Sequence, residues 1–219
     1  MSASAFTQSL GSTGIEHLRQ GGQAALAETF TSHRDRLRRM IDLRLDRRVA
    51  GRVDASDVLQ EAYLDASRQL DQYLADPPMA PFLWLRFLAA QRLMALHRQH
   101  LGAQKRDARQ EIPLFRRSVP ALDSGSLSCG LLGGLTSPSM AAMRAEMQAR
   151  LQAMVDGLDP LDREILALRH YEELTNQEAA EELGITTAAA SKRYIRALER
   201  LRGVLAGAPG VLPKGWARE

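Results

Sequence analysis

Leu174-Thr175-Asn176-Gln177-Glu178-Ala179-Ala180-Glu181-Glu182-Leu183-Gly184-Ile185-Thr186-Thr187-Ala188-Ala189-Ala190-Ser191-Lys192-Arg193-Tyr194-Ile195-Arg196-Ala197 is the stretch that decides how the end of this chain folds. Thr175 stands three residues before Glu178, the spacing at which a hydroxyl and a carboxylate satisfy two orphan amides at a helix start. Gly184 accepts the left-handed conformation in which many helices end, and Ile185 beyond it can pack back onto the first helix. A second helix then begins. In it Ala189, Ala190, Ile195 and Leu198 are expected to turn inward, while Lys192, Arg193, Arg196 and Arg200 supply a cationic outer side. A capped short helix, a glycine turn and a basic second helix together predict a helix-turn-helix of the kind that reads DNA.

The charge pattern supports that reading over a plain helical hairpin with a solvated face. Residues 159–182 hold eight acidic and two basic residues, whereas residues 187–202 hold five basic and one acidic. Such a split aims the second helix at a polyanion. Lys192, Arg193 and Arg196 lie within about one turn of each other and would enter a major groove together. Ser191, Arg200 and Arg202 are expected on phosphates, which supply affinity without sequence information.

Composition bounds the rest of the molecule. With 219 residues, 45% hydrophobic and 25% charged, the chain can bury one sizeable core or two small ones. The net charge is only +3, so the basic character is local. Neither a glycine-rich phosphate loop nor a histidine-glutamate zinc signature occurs, so no catalytic residue, cofactor or enzymatic activity is expected. His97 and His100 stand at i and i+3 without a third ligand cluster, and no metal site is expected there. The single Cys129 excludes an intramolecular disulfide and fits a reducing compartment. The start of the chain lacks a basic segment followed by an apolar run, and no stretch reaches the roughly 18 apolar residues of a membrane span. A cytoplasmic protein without membrane insertion is the expectation.

Organisation follows from periodicity. Residues 1–22 are small and polar and are expected to be flexible. From Gln23 a basic amphipathic helix carries Leu26, Phe30, Leu37, Ile41 and Leu45 at near-helical spacing, up to a break at Gly51. A second helix over residues 54–75 has Asp54 as N-cap and Val58, Leu59, Ala62, Leu70 and Leu74 as its apolar face. Here the charge inverts: Asp54, Asp57, Glu61, Asp65, Asp71 and Asp76 face one arginine, Arg68. Pro77, Pro78 and Pro81 enforce a loop. A third helix starts near Phe82 and runs through Trp84, Leu85, Leu88, Leu93 and Leu96 into the basic stretch 98–109, with Trp84 a core residue. Residues 113–139 have the Pro, Ser and Gly composition of a linker. The last module opens near Met140, and Leu158-Asp159-Pro160 marks a helix start with proline in its first turn. The expected fold is all-α: two small helical domains, 23–112 and 140–206, joined by a flexible linker 113–139 and followed by a tail 207–219. A flexible tether of about 26 residues spans about 25 to 30 Å on average.

Asp57, Gln60 and Glu61 fall at i, i+3 and i+4, so two carboxylates and an amide share one helix face and form a patch suited to a basic partner.

Together these residues resemble the bacterial RNA polymerase sigma factors of the sigma-70 family, in the small two-domain extracytoplasmic-function group. Asp57-Val58-Leu59-Gln60-Glu61 resembles the family's clamp-binding motif. Phe82-Leu83-Trp84-Leu85 resembles the start of its helix beside the melted minus-ten element. The segment from Leu158-Asp159-Pro160-Leu161-Asp162-Arg163-Glu164 through Arg196-Ala197-Leu198 is similar to its minus-thirty-five-reading domain. The likeness spans roughly residues 23–112 and 140–205. It implies sigma region 2 and sigma region 4 domains, with transcription initiation as the function. The implied partners are core RNA polymerase through its β′ clamp and β subunits, promoter DNA, and an anti-sigma factor. It implies Asp57, Gln60 and Glu61 as the polymerase contact, and Ser191, Lys192, Arg193, Arg196 and Arg200 on minus-thirty-five DNA. The loop with Pro77 and Met79 would cup an unstacked minus-ten base, and Gln91, Arg92 and Arg98 would lie along that strand. The chain departs from the family pattern at Gln91 and Ala95, where an Asn and an Asp are frequent, and at Ala189-Ala190, where a Thr-Val pair is. The alternative is a stand-alone dimeric helix-turn-helix regulator bound to a two-fold site. Such a regulator has no use for the Asp57-Gln60-Glu61 patch with the proline loop and aromatic helix behind it.

Overall fold

The computed structural model of the protein describes residues 3–46, 48, 49, 53–101, 120, 122–132 and 141–205. Among the described residues every regular element is helical, as the periodicity predicts. They fall into two compact units, Met1–Ala121 and Leu122–Glu219.

In the first unit, α1 (Ala3–Arg44) is two helices joined across a break at Gly22, where φ is 53° and ψ is −130°, a conformation open to glycine. Leu26, Phe30, Leu37, Met40, Ile41 and Leu43 are buried along it. The helix also runs back through the segment expected to be flexible, with Leu18 fully buried. Beside Leu18, that segment packs through close approach at a glycine. A Cβ on Gly14 would meet Pro81 Cγ at 3.2 Å, and Arg19 Nη2 donates to the Leu74 carbonyl at 3.3 Å.

Asp54 caps α2 (Ala55–Ala75) reciprocally with Asp57: each side chain accepts from the other's backbone N–H, at 3.1 and 3.0 Å. Its buried face is Val58, Leu59, Ala62, Ala66, Leu70 and Tyr73. In α3 (Pro81–Leu101), Phe82, Leu83, Trp84, Leu85, Leu88 and Leu93 are buried. The Trp84 ring stacks on Tyr73 with centroids 4.0 Å apart and planes 8° apart. The three helices pack pairwise against one another. His97 closes the end of α1: its Nε2 accepts the Asp46 backbone N–H at 3.2 Å, and burial holds the imidazole below its ordinary value of 6.5. The break expected at Gly51 and the basic stretch 102–109 lie outside the described residues.

The second unit is built from α4 (Ser124–Leu132), α5 (Ala141–Asp156), α6 (Pro160–Leu166), a π-helical turn (Ala167–Tyr171), α7 (Asn176–Leu183) and α8 (Thr187–Leu205). Its core holds Leu151, Val155, Leu158, Ile165, Leu166, Leu168, Leu174 and Leu183. Helix α4 lies inside the expected linker 113–139, which is therefore shorter than its composition predicts. Asp123 caps the helix by accepting the Ser126 N–H at 2.8 Å. Leu127, Leu131 and Leu132 are buried, and Gln148 Nε2 donates to Ser128 Oγ at 2.7 Å. Gly130 admits the Tyr171 ring so closely that a Cβ there would stand 2.3 Å from Cε2. The Ser and Gly that read as linker are the small side chains this docking requires. No helix among the described residues is long and apolar enough to cross a membrane.

Candidate functional site

The helix-turn-helix is assembled by local hydrogen bonds that its sequence announces. Thr175 N–H donates to Glu178 Oε2 at 2.8 Å and Glu178 N–H to Thr175 Oγ1 at 3.2 Å, completing the capping box of α7. Gly184 sits in the left-handed region at φ 62°, and the Ile185 N–H returns to the Ala180 carbonyl at 3.0 Å. Thr186 Oγ1 caps α8 by accepting the Ala189 N–H at 3.2 Å. Asn176 Nδ2 donates to the Thr187 carbonyl at 2.9 Å, tying the first turns of the two helices together. The angle between α7 and α8 is fixed at both ends.

Packing sets the phase of α8 differently from the sequence expectation. Ala190, Ala197 and Leu201 are fully buried, and the half-buried Tyr194 between them receives the Arg169 guanidinium 5.2 Å from its ring centroid. Ala189 and Leu198 are only half-buried. Ile195, expected inside, is 53% exposed on the opposite side. Close approach of α8 to its neighbours selects alanine for the inner row, and the larger Ile195 falls on the outer face.

The expected DNA-contacting cations divide. Arg193, 26% exposed, turns back onto α6, with Nη1 at 2.6 Å from Asp162 Oδ1 and 3.2 Å from Asp159 Oδ1. Asp162 is 4% exposed, so Arg193 neutralises a buried carboxylate. Arg196 stays open to solvent, with Nε 4.0 Å from the other oxygen of Asp162. Arg200 Nη1 reaches the Gly157 carbonyl at 3.4 Å while remaining exposed. Lys192 is exposed and Ser191 half-buried on the outer face. The partners of Arg193 lie more than thirty residues away in sequence, so spacing within α8 gives no sign of them.

A second surface stands on α2. Asp57, Gln60 and Glu61 are exposed on one face, and Leu64, one turn on, is 38% exposed beside them. Leu64 extends the patch and was not among the expected residues, although its i+3 step from Glu61 marks it. Arg92, expected along DNA, instead forms a bidentate pair with Asp65 and stands 3.8 Å from Glu61. It braces α3 against α2. Gln91 and Arg98 are exposed on α3, and Pro77 and Met79 are half-buried in the loop. Tyr73 Oη donates to the Met79 carbonyl at 2.8 Å. The loop thereby frames a concave pocket of about 330 Å³ lined by Gln69, Gln72, Tyr73, Asp76, Pro78, Met79, Trp84 and Phe87. Among the described residues no cluster of His, Cys, Asp and Glu is arranged to hold a metal ion.

The family model of sigma-70, region 4, matches residues 154–203, the span from the end of α5 through most of α8. This span is thus similar to sigma-70 region 4. The matched span comprises the helix-turn-helix, α6 and the π-helical turn, with α4 and most of α5 packed outside it. Among solved structures the chain is similar to one titled "Structure of CnrH in complex with the cytosolic domain of CnrY". That match has a TM-score of 0.46 and 19% identity, covering 91% of this chain and 96% of that chain. No curated protein matches the chain.

Proposed function

We propose that the chain is a sigma factor of the extracytoplasmic-function group. It binds core RNA polymerase, through its β′ clamp and β subunits, and directs it to promoters for initiation. The first unit docks on the polymerase and engages the minus-ten element, and region 4 holds the minus-thirty-five element. The observation that carries this reading is the open face of α2, Asp57, Gln60, Glu61 and Leu64, in a chain whose other unit matches sigma-70 region 4 over residues 154–203.

The chemistry of that face suits a large basic partner. Carboxylates steer encounter with a cationic surface and fix register, and Leu64 supplies an apolar contact that excludes water at the centre. Asp57 also closes the cap of α2, so the patch is held on a rigid helix. The pocket under the 76–81 loop has the size to take an extruded base, with aromatic and apolar surface for its faces and Gln69, Gln72 and Asp76 for its polar edge; unstacking such a base costs a few kcal/mol. Gln91 and Arg98 stand exposed on α3 to follow the same strand. Once the polymerase is bound, the second DNA contact becomes intramolecular, and two modest surfaces suffice. An anti-sigma factor competing for these surfaces belongs to the same reading, as does a place in the cytoplasm.

Core-polymerase binding by full-length wild type, Glu61→Lys and Leu64→Asp tests the proposal, with circular dichroism as the control for helicity. Each variant is expected to lose about tenfold or more in affinity, roughly the worth of one interface anchor. Unchanged polymerase binding by both variants would overturn it.

A further inference from the structure

With Arg193 engaged by Asp159 and Asp162, the outer face of α8 presents Ala188, Ser191, Lys192 and Ile195 as a continuous stripe. On a helix these positions fall within about 100° of one another and extend about 10 Å along the axis, comparable with the roughly 12 Å width of a major groove. Ile195 is the conspicuous member. An isoleucine 53% exposed in the middle of a basic helix leaves apolar surface in water that burial against a ligand would recover. Lys192 and Arg196 on either side make that ligand a polyanion, and Glu199, one turn further on, ends the stripe with the opposite charge. The apolar group a DNA major groove offers is the thymine C5-methyl.

We propose that Ile195 reads a thymine methyl in the upstream duplex, so that base choice under α8 comes from an apolar contact flanked by Ser191 and Lys192. Arg193 is then a positioning residue that sets the pitch of α8 through Asp162. This rests on the sigma-factor reading above, since it needs region 4 to lie on DNA.

The test uses the full chain with core polymerase. Duplexes are selected from a randomised pool, and each thymine of the selected upstream element is then replaced singly by deoxyuridine, which lacks only the methyl. One position is expected to lose about fourfold in binding, the worth of one buried methyl group. Ile195→Ala should bind the thymine and uracil forms of that position equally, and Ile195→Val should keep part of the preference. A uracil penalty that persists unchanged in Ile195→Ala, or none at any position, overturns the role of Ile195 while leaving the sigma-factor reading standing. Failure to select any polymerase-dependent duplex overturns both.

Discussion

Arg193→Ala is expected to unfold the second unit more easily, by about 1 to 3 kcal/mol, because it strands the buried Asp162 carboxylate. Urea unfolding of the single variants and of Arg193→Ala/Asp162→Ala measures this, and the double variant should recover part of the loss. Equal stability of Arg193→Ala and wild type would return Arg193 to the pool of free DNA contacts. Gly184→Ala should cost about 1 to 2 kcal/mol, since its φ of 62° is one that a Cβ disfavours. At this scale the sequence was readable where the partners are neighbours: Thr175 with Glu178, Gly184 with Ile185, Asp159 before Pro160. It was silent where the partner comes from another helix. The pairs Arg193 with Asp162 and Arg92 with Asp65 bridge separate elements, and charge counting assigns such arginines to solvent or DNA. The phase of α8 misled for a related reason. Hydrophobicity favoured Ile195 for the inside, whereas the interhelix distance admits Ala190 and Ala197.

Helix α4 should behave as part of the second unit. Gly130→Val drives side-chain atoms into the Tyr171 ring, and overpacking of this kind costs about 1 to 3 kcal/mol. A fluorophore on the exposed Cys129 is expected to be immobilised in wild type and to gain rapid rotation in the variant. Equal anisotropy in the two would show that α4 does not depend on this contact. Acid should weaken both units. Burial holds His97 and His170 below their ordinary value of 6.5, so below that pH the unfolded chain binds more protons than the folded one. Stability then falls as the pH drops. Thermal unfolding near pH 7.5 and near pH 5.5 measures the loss, and His97→Gln should reduce it in the first unit. The carboxyls of Asp42 and Glu181, raised from 3.8 and 4.5 by partial desolvation, act with opposite sign at lower pH. Most long elements were legible because their apolar rows are bulky, as in α2 and α3. The start of α1 and α4 were not, because Gly14 and Gly130 pack by leaving room, which a hydrophobic period does not register.

Across the whole chain, charge carries the functional reading better than fold does. An acidic face on α2 and a basic outer side on α8 are visible in the order of residues, whereas the bare list of charges hides how many are spent internally. The net charge of +3 conceals this division. If the acidic face serves a polymerase and α8 serves duplex DNA, neither unit has to bind tightly alone, and the free chain should hold promoters poorly. The most direct test is a footprint and run-off transcription assay on the selected duplexes with the full chain, core polymerase, or both. The account predicts upstream protection and a defined transcript only when chain and polymerase are combined, and loss of both with Glu61→Lys. Protection of a two-fold symmetric site by the chain alone as a dimer, unaffected by polymerase or by Glu61→Lys, would contradict it.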